Sequence, residues 1–313
     1  MSALIVIMYH YVRPLADSAY PGIKGLELSG FLRQLDWLKR QGHAFVRLEE
    51  VVEFVEAGRA LPEKPVLLTF DDGYLDHYEH VFPELRRRGL SGVFFAPVDA
   101  VREHRMLDVN KIHFVLASGA EPRALIAAIE DAVEKNRAAL GLRSAAEYRA
   151  ELMKANEWDS AEVIYVKRML QHALPIELRA RLVSALFGEL VSTDEAAFAR
   201  TVYLSVDQLR EMRAGGMSIG GHGKTHRWLN TLSRAEQREE IRATREFLLG
   251  EGLCDPAALT FCYPYGGHDD ETVELLVEAG FRLGFIASRA QVAKKDARRM
   301  LLPRFDTNHF PKG

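Results

Sequence analysis

Two cysteines, Cys254 and Cys262, are all that 313 residues contain. They are too few for a disulfide framework and lack metal-binding spacing, which suits a reducing compartment. Basic excess is missing as well. Lys and Arg number 41 against 44 Asp and Glu, a formal net charge of -3, so the chain lacks the surplus charge that binds nucleic acid by neutralising phosphates. No stretch approaches the roughly 18 consecutive apolar residues of a membrane span. The opening segment MSALIVIMYHYVRP has only six apolar residues in a row, Ala3 to Met8, with no basic residue before them and no small-residue cleavage site after them. It reads as a strand and not as a signal peptide, and the expected location is cytoplasmic. Internal repeats and low-complexity linkers are also missing.

What is present suits burial. Hydrophobic residues make up 48% of a chain long enough for one large α/β barrel or two ordinary domains. Short β-branched runs alternate with helical patterns from the start: ALIVIMYH, the helix LSGFLRQLDWLKRQG, HAFVRL, the helix LEEVVEFVEAG, KPVLLTF, a helix from about Leu75 to Arg88 stopped by Gly89, then SGVFFAPV. The rhythm resumes near Thr201 with a helix in LSVDQLREMRAGG, then MSIGGH, a helix over Ser233 to Gly250, ALTFCYPYGG, the helix DDETVELLVEAG, FRLGFIAS and RRMLLPRF. Seven or eight strands joined by crossover helices predict a parallel sheet. Between about Val101 and Arg200 the pattern turns Ala-, Leu-, Glu- and Arg-rich with helical spacing. The expected organisation is therefore a β/α barrel over 1–101 and 201–313, with a helical insertion over 102–200 serving packing, oligomerisation or a lid.

A β/α barrel aims the C-terminal ends of its strands at one face, and the loops leaving them hold the chemistry. Five polar stretches fall there: YHYVRP, FDDGY, GGHGKTH, YPYGGH and DTNHF. Asp71 and Asp72 are consecutive, so an extended backbone would point them apart, whereas a turn helped by Gly73 could aim both at one centre. One carboxylate can then bind a cation while the other accepts a proton. His222 and His226 are close enough in sequence to bring two imidazoles together, and two imidazoles with one carboxylate form a common ligand set for catalytic zinc. Taken alone, DDG is an Asx-capped turn and the histidine pair a solvated face. Their placement after separate strands of one barrel is what joins them. His77 and His80 share a helical face where nothing else converges and are expected to face solvent.

LLTFDDGY, MSIGGHGKTHRWL and LTFCYPYGG, in this order, resemble the polysaccharide deacetylase (NodB-homology) family, carbohydrate esterase family 4. The resemblance covers roughly Met1 to Val101 and Thr201 to Phe310. It implies a distorted (β/α)7-8 barrel and a divalent metal, ordinarily Zn2+, used to hydrolyse an acetyl group from a sugar. By that resemblance Asp71 matches the catalytic base, Asp72, His222 and His226 match the metal ligands, and the backbone N–H of Tyr74 helps hold the oxyanion. Tyr263, Pro264 and Tyr265 match the groove-wall motif, and Trp228 joins the aromatic residues expected near the mouth to stack on a sugar. The chain departs from the family in several places. Cys262 stands where the motif arginine bracing the catalytic aspartate is expected, and Gly223 where many relatives carry Ser or Thr. The family's Asp-x-x-Asp-aromatic and Leu-x-His motifs are not found, so His309 and His10 are the candidates for the general acid, with Asp306 placed to support either. The expected substrate is an acetylated sugar, a nucleotide- or lipid-linked precursor or a small amino sugar reachable in the cytosol. The competing readings are hydrolysis of a non-sugar amide, a glycosyltransferase-like use of the paired aspartates, and a non-catalytic glycan-binding relative.

Overall fold

The computed structural model describes residues 3–16, 18–157, 159–296 and 298–311. Seven parallel strands close into a barrel: β1 (Ile5–Tyr9), β2 (Pro65–Phe70), β3 (Val93–Ala96), β4 (Ser218–Gly221), β5 (Thr260–Cys262), β6 (Leu283–Ala287) and β7 (Leu302–Asp306). Each pairs with the next, β7 pairs with β1, and β1 closes the ring on β2 from Ile5↔Val66 to Tyr9↔Phe70. The expected strand HAFVRL shrinks to Ala44–Phe45, which pairs with Pro65 and Val66, while β3 pairs with Thr69 and Phe70 farther along the same strand. It therefore stays outside the ring of seven.

Period-two alternation divides the strand residues between two cores. Val6, Leu67, Val93, Phe95, Cys262, Leu283, Phe285 and Leu302 fall in one buried cluster. Their neighbours Ile7, Tyr9, Val66, Leu68, Phe70, Phe94 and Phe261 pack in another with the apolar stripes of surrounding helices, including Phe31, Leu35 and Leu38 of Leu28–Arg40. The first is the barrel interior and the second the layer between sheet and helices. Each buried Leu or Phe contributes roughly 1.5–3 kcal/mol. The interior parity of β2 runs Leu67, Thr69, Asp71, so the first aspartate of DDG continues the inward column, and its N–H extends the ladder by donating to Tyr9 O at 2.9 Å.

Two compact units are present. One comprises 1–14, 25–105 and 199–313 and holds the barrel; the other comprises 15–24 and 106–198. Its helices include Asp108–Ala117, Pro122–Leu140, Ala145–Leu152, Ala161–Arg168 and Ile176–Leu190. Leu15–Lys24, assigned to the barrel segment from sequence, groups with this helical unit: Tyr20 packs edge-on against Phe114 at 5.0 Å. No helix among the described residues is long and apolar enough to cross a membrane.

Candidate metal centre and active site

Past the end of β2 the backbone turns sharply. Asp72 (φ 71°) and Gly73 (φ 63°) are both left-handed, a conformation costly for most residues and tolerated best by Gly, Asn and Asp. This turn lets two adjacent carboxylates serve one centre. Asp71 stays on the interior column, while Asp72 swings to the loop after β4. That loop is bent in the same way, with Gly223 at φ 75° and His226 at φ 58°.

Three electron-pair donors meet there. Nε2 of His222 and Nε2 of His226 each lie 3.2 Å from Asp72 Oδ1 and 3.3 Å from each other, and all three side chains are buried. Ligand bonds of about 2.1 Å in a tetrahedral site would put donor atoms about 3.4 Å apart, so the set has the spacing a zinc-sized cation requires. Its orientation is fixed from outside. The Nδ1–H of His222 donates to Cys262 O at 2.8 Å, leaving Nε2 to face the centre, and the Tyr74 hydroxyl donates to Asp72 Oδ2 at 2.5 Å, leaving Oδ1. Burial disfavours charge on both rings; contacts with Cys262 and Asp72 outweigh it at His222, whose pKa is raised, but not at His226, whose pKa is lowered. Asp71, His222 and Cys262 also lie within mutual reach, but both oxygens of Asp71 are engaged elsewhere.

Asp71 is held by Arg304. The guanidinium grips it with two parallel bonds, Nη1 to Oδ1 and Nη2 to Oδ2, each 2.7 Å, with both residues buried. Nη1 also reaches Thr69 Oγ1 at 3.1 Å and Nη2 reaches Cys262 Sγ at 3.0 Å. Burial alone would raise the Asp71 pKa, but the charge and hydrogen bonds of Arg304 outweigh it and hold the carboxyl at about 2. The brace expected at position 262 thus arrives from β7, across the barrel interior, and the smaller cysteine leaves room for it. Arg304 carries no motif of its own. Its one sequence signal is a charged residue on the inward parity of LLPRF.

The remaining candidates separate. His10 Nε2 stands 3.8 Å from Asp71 Oδ2 with its side chain 43% exposed, so it reaches both the aspartate and incoming solute. His309 is exposed; its contacts are Asp306 O at 3.1 Å and the Phe305 ring. Asp306 caps the turn through Asn308 N. Tyr74 is fully buried, stacked between Tyr11 (3.9 Å) and Tyr203 (6.2 Å). Tyr263 is buried and Pro264 beside it. Half-buried Tyr265 (φ 56°) lies parallel to Trp228 at 4.6 Å and edge-on to His226 at 4.8 Å, placing an aromatic wall beside the candidate ligand set. Phe310, in the last of the five polar stretches, packs against Trp37 and Phe305.

His77 corrects the expectation of solvent exposure. It is wholly buried, and its Nε2 donates to His10 O at 2.9 Å. The turn that carries it is not a regular α-helix but a wider π-turn, His77–Val81, leading into Phe82–Arg88, and the YHYV segment covers it.

A closed seven-strand parallel barrel with a carboxylate and imidazole cluster at the C-terminal ends of its strands defines the class as a β/α-barrel protein with a candidate metal centre. Known proteins narrow the class. The family described as polysaccharide deacetylase matches residues 58–137 and 180–284, more than half of the chain, and the chain belongs to that family. The poly-beta-1,6-N-acetyl-D-glucosamine N-deacetylase of Escherichia coli K12 is 35% identical over 86 residues, which is 27% of this chain and 12% of the relative. Among solved structures, the Streptococcus pyogenes deacetylase PplD in complex with acetate aligns with a TM-score of 0.59 at 16% identity, covering 97% of this chain and 92% of that one. IcaB from Ammonifex degensii aligns with a TM-score of 0.55 at 21% identity, covering 98% and 92%. At these identities the two structures bear on fold alone.

Proposed function

We propose that this chain is a metal-dependent hydrolase that removes an N-acetyl group from an amino sugar. The observation carrying the proposal is the convergence of Asp72, His222 and His226 beside a separate carboxylate, Asp71, which Arg304 keeps ionised. The three ligand atoms would hold the divalent ion, zinc by donor type and spacing, and such an ion polarises a carbonyl and acidifies water. Asp71 is the general base, held by its guanidinium fork at a fixed orientation. His10, 3.8 Å from Asp71 and open to solvent, supplies the proton to the departing amine. The Tyr265 and Trp228 pair offers a flat apolar face to a sugar ring, and the Tyr74 N–H is the proposed backbone donor to the oxyanion.

A glycosyltransferase-like use of the aspartates would leave both converging imidazoles without a role. A pure glycan binder would have no use for a charge-braced Asp71. The partial match to the Escherichia coli enzyme supports an N-acetylglucosamine-containing substrate. Acetate release should therefore be measured on β-1,6-linked N-acetylglucosamine oligomers, nucleotide-linked and free N-acetyl sugars, formamides and ureides, before and after chelation. Activity confined to the simple amides, or untouched by stripping the metal, overturns the proposal. Asp71→Asn is expected to keep stoichiometric metal while turnover falls by about 10² to 10⁴. Full turnover in that variant removes Asp71 from the mechanism.

A further inference from the structure

Glu240 is a carboxylate that the motifs and the proposed chemistry leave unused, yet it is 2% exposed. It stands on the helix Arg234–Gly250, whose start is fixed by a capping box between Ser233 and Glu236. Its carboxylate faces the loop between the two ligand imidazoles. Oε2 accepts the N–H of Lys224 at 2.7 Å and of Thr225 at 2.9 Å, and Oε1 accepts the Thr225 hydroxyl. Arg227 Nη2 approaches Oε1 at 3.7 Å. The same loop offers its carbonyls to another element, with Val98 N–H donating to Gly223 O at 3.1 Å and Asp99 N–H to Lys224 O at 2.9 Å.

The loop between residues 222 and 226 is thus held through both its donors and its acceptors. It needs to be, because Gly223 and His226 both sit at positive φ and a non-glycine residue leaves that region unless its surroundings fix it. A side chain at 223 would begin 3.4 Å from Glu240 Oε2, so the carboxylate stands beside the position where a loop hydroxyl was expected. Removing it would take the acceptor from two backbone donors and a hydroxyl in a half-buried place.

We propose that Glu240 is a positioning residue for the cation site: by holding the 222–226 loop in its strained form it aims both Nε2 atoms at Asp72 Oδ1 before a cation arrives, and so sets cation affinity. This rests on the metal-binding role proposed above. The test uses the full chain stripped with a chelator, as wild type, E240A and E240Q, with Zn2+ affinity read by competition against a chromophoric chelator and the melting of each metal-free protein read in parallel. Wild type is expected to bind one Zn2+ per chain and E240A to bind about 10- to 100-fold more weakly. E240Q, whose amide oxygen can still accept both backbone N–H groups, should stay closer to wild type. An unchanged Kd in folded E240A, whether or not its melting temperature drops, makes Glu240 a packing residue and overturns the proposal. Should E240A fail to fold, T225V decides, since it removes only the hydroxyl: several-fold weaker binding supports the proposal and unchanged affinity overturns it. Wild type that binds no stoichiometric zinc sinks the cation site itself, an outcome separate from a variant that merely matches wild type.

Discussion

At Asp71 two forces oppose each other, and the balance has a measurable sign. Burial favours the neutral acid, Arg304 favours the anion, and the arginine prevails, lowering the pKa from 3.8 to about 2. The ionised carboxylate therefore adds stability that is fully present above pH 3.8 and is lost as pH falls through about 2. In Arg304→Met burial loses its strongest opponent, with only the weaker influence of His222 and His10 left against it, so the Asp71 pKa rises. The acid limb of the pH–rate profile should move to higher pH, and chemical denaturation at pH 7 should show a loss of about 3–5 kcal/mol, the usual cost of leaving one member of a buried ion pair alone. Arg304→Lys, a point charge without the bidentate fork, should recover part of both. A pH profile identical to wild type would mean that Arg304 does not tune the proposed base. This brace was not legible in the sequence. LTFCYPYGG marks the position the arginine vacates, but nothing local marks a replacement 42 residues later, and only closure of the barrel brings Arg304 Nη2 to Cys262 Sγ and Asp71.

Among elements, the segment following β1 is fastened to the turn following β2 at three points. His77 Nε2 donates to His10 O, Asp76 Oδ2 accepts Arg13 Nε at 2.7 Å, and the rings of Tyr11 and Tyr74 stack at 3.9 Å. Helical periodicity placed His77 and His80 together on an outer face, and that fails for His77 because a π-turn shifts the register and the strand-exit loop closes over it. Sequence pattern carries no term for a neighbouring loop. Burial lowers the His77 pKa below 6.5, so the folded chain holds the neutral ring while the unfolded chain gains a proton as pH drops past 6.5. His77 therefore works against stability on the acid side of that value. His77→Leu should lose about 1–3 kcal/mol at pH 7.5, since the His10 carbonyl then has no donor. His77→Gln should keep most of that donor bond and also flatten the decline between pH 7 and 5. Denaturant midpoints measured across that range distinguish the two. A His77→Leu midpoint equal to wild type would mean that the bond to His10 O contributes nothing.

For the whole molecule, alternation of strands and helices made the barrel legible, because each strand needs a crossover helix and each inward column needs apolar residues. The convergence of Asp72, His222 and His226 was legible because DDG and HGKTH leave separate strands at the same face. The closure at seven strands was not, since Ala44–Phe45 has strand composition but reaches only Pro65 and Val66. Nor was the grouping of residues 15–24 with the helical unit, which depends on Tyr20 meeting Phe114 across a wide gap in sequence. The three candidate ligand residues are supplied by the loops after β2 and β4, so a cation bound there would tie two distant parts of one barrel to each other, and the unfolded chain has no preformed equivalent. Binding to the folded state alone stabilises it by RT ln(1 + [L]/Kd), about 2.7 kcal/mol at a free ion concentration of 100 Kd. Wild-type protein should therefore melt several degrees higher with zinc than after chelation. Asp72→Asn and His222→Ala should lose that increment, and Asp71→Asn should retain it. Calorimetric scans with and without chelator read all four proteins directly. An Asp72→Asn variant that keeps the full zinc-dependent increment would place the cation somewhere other than among these three side chains.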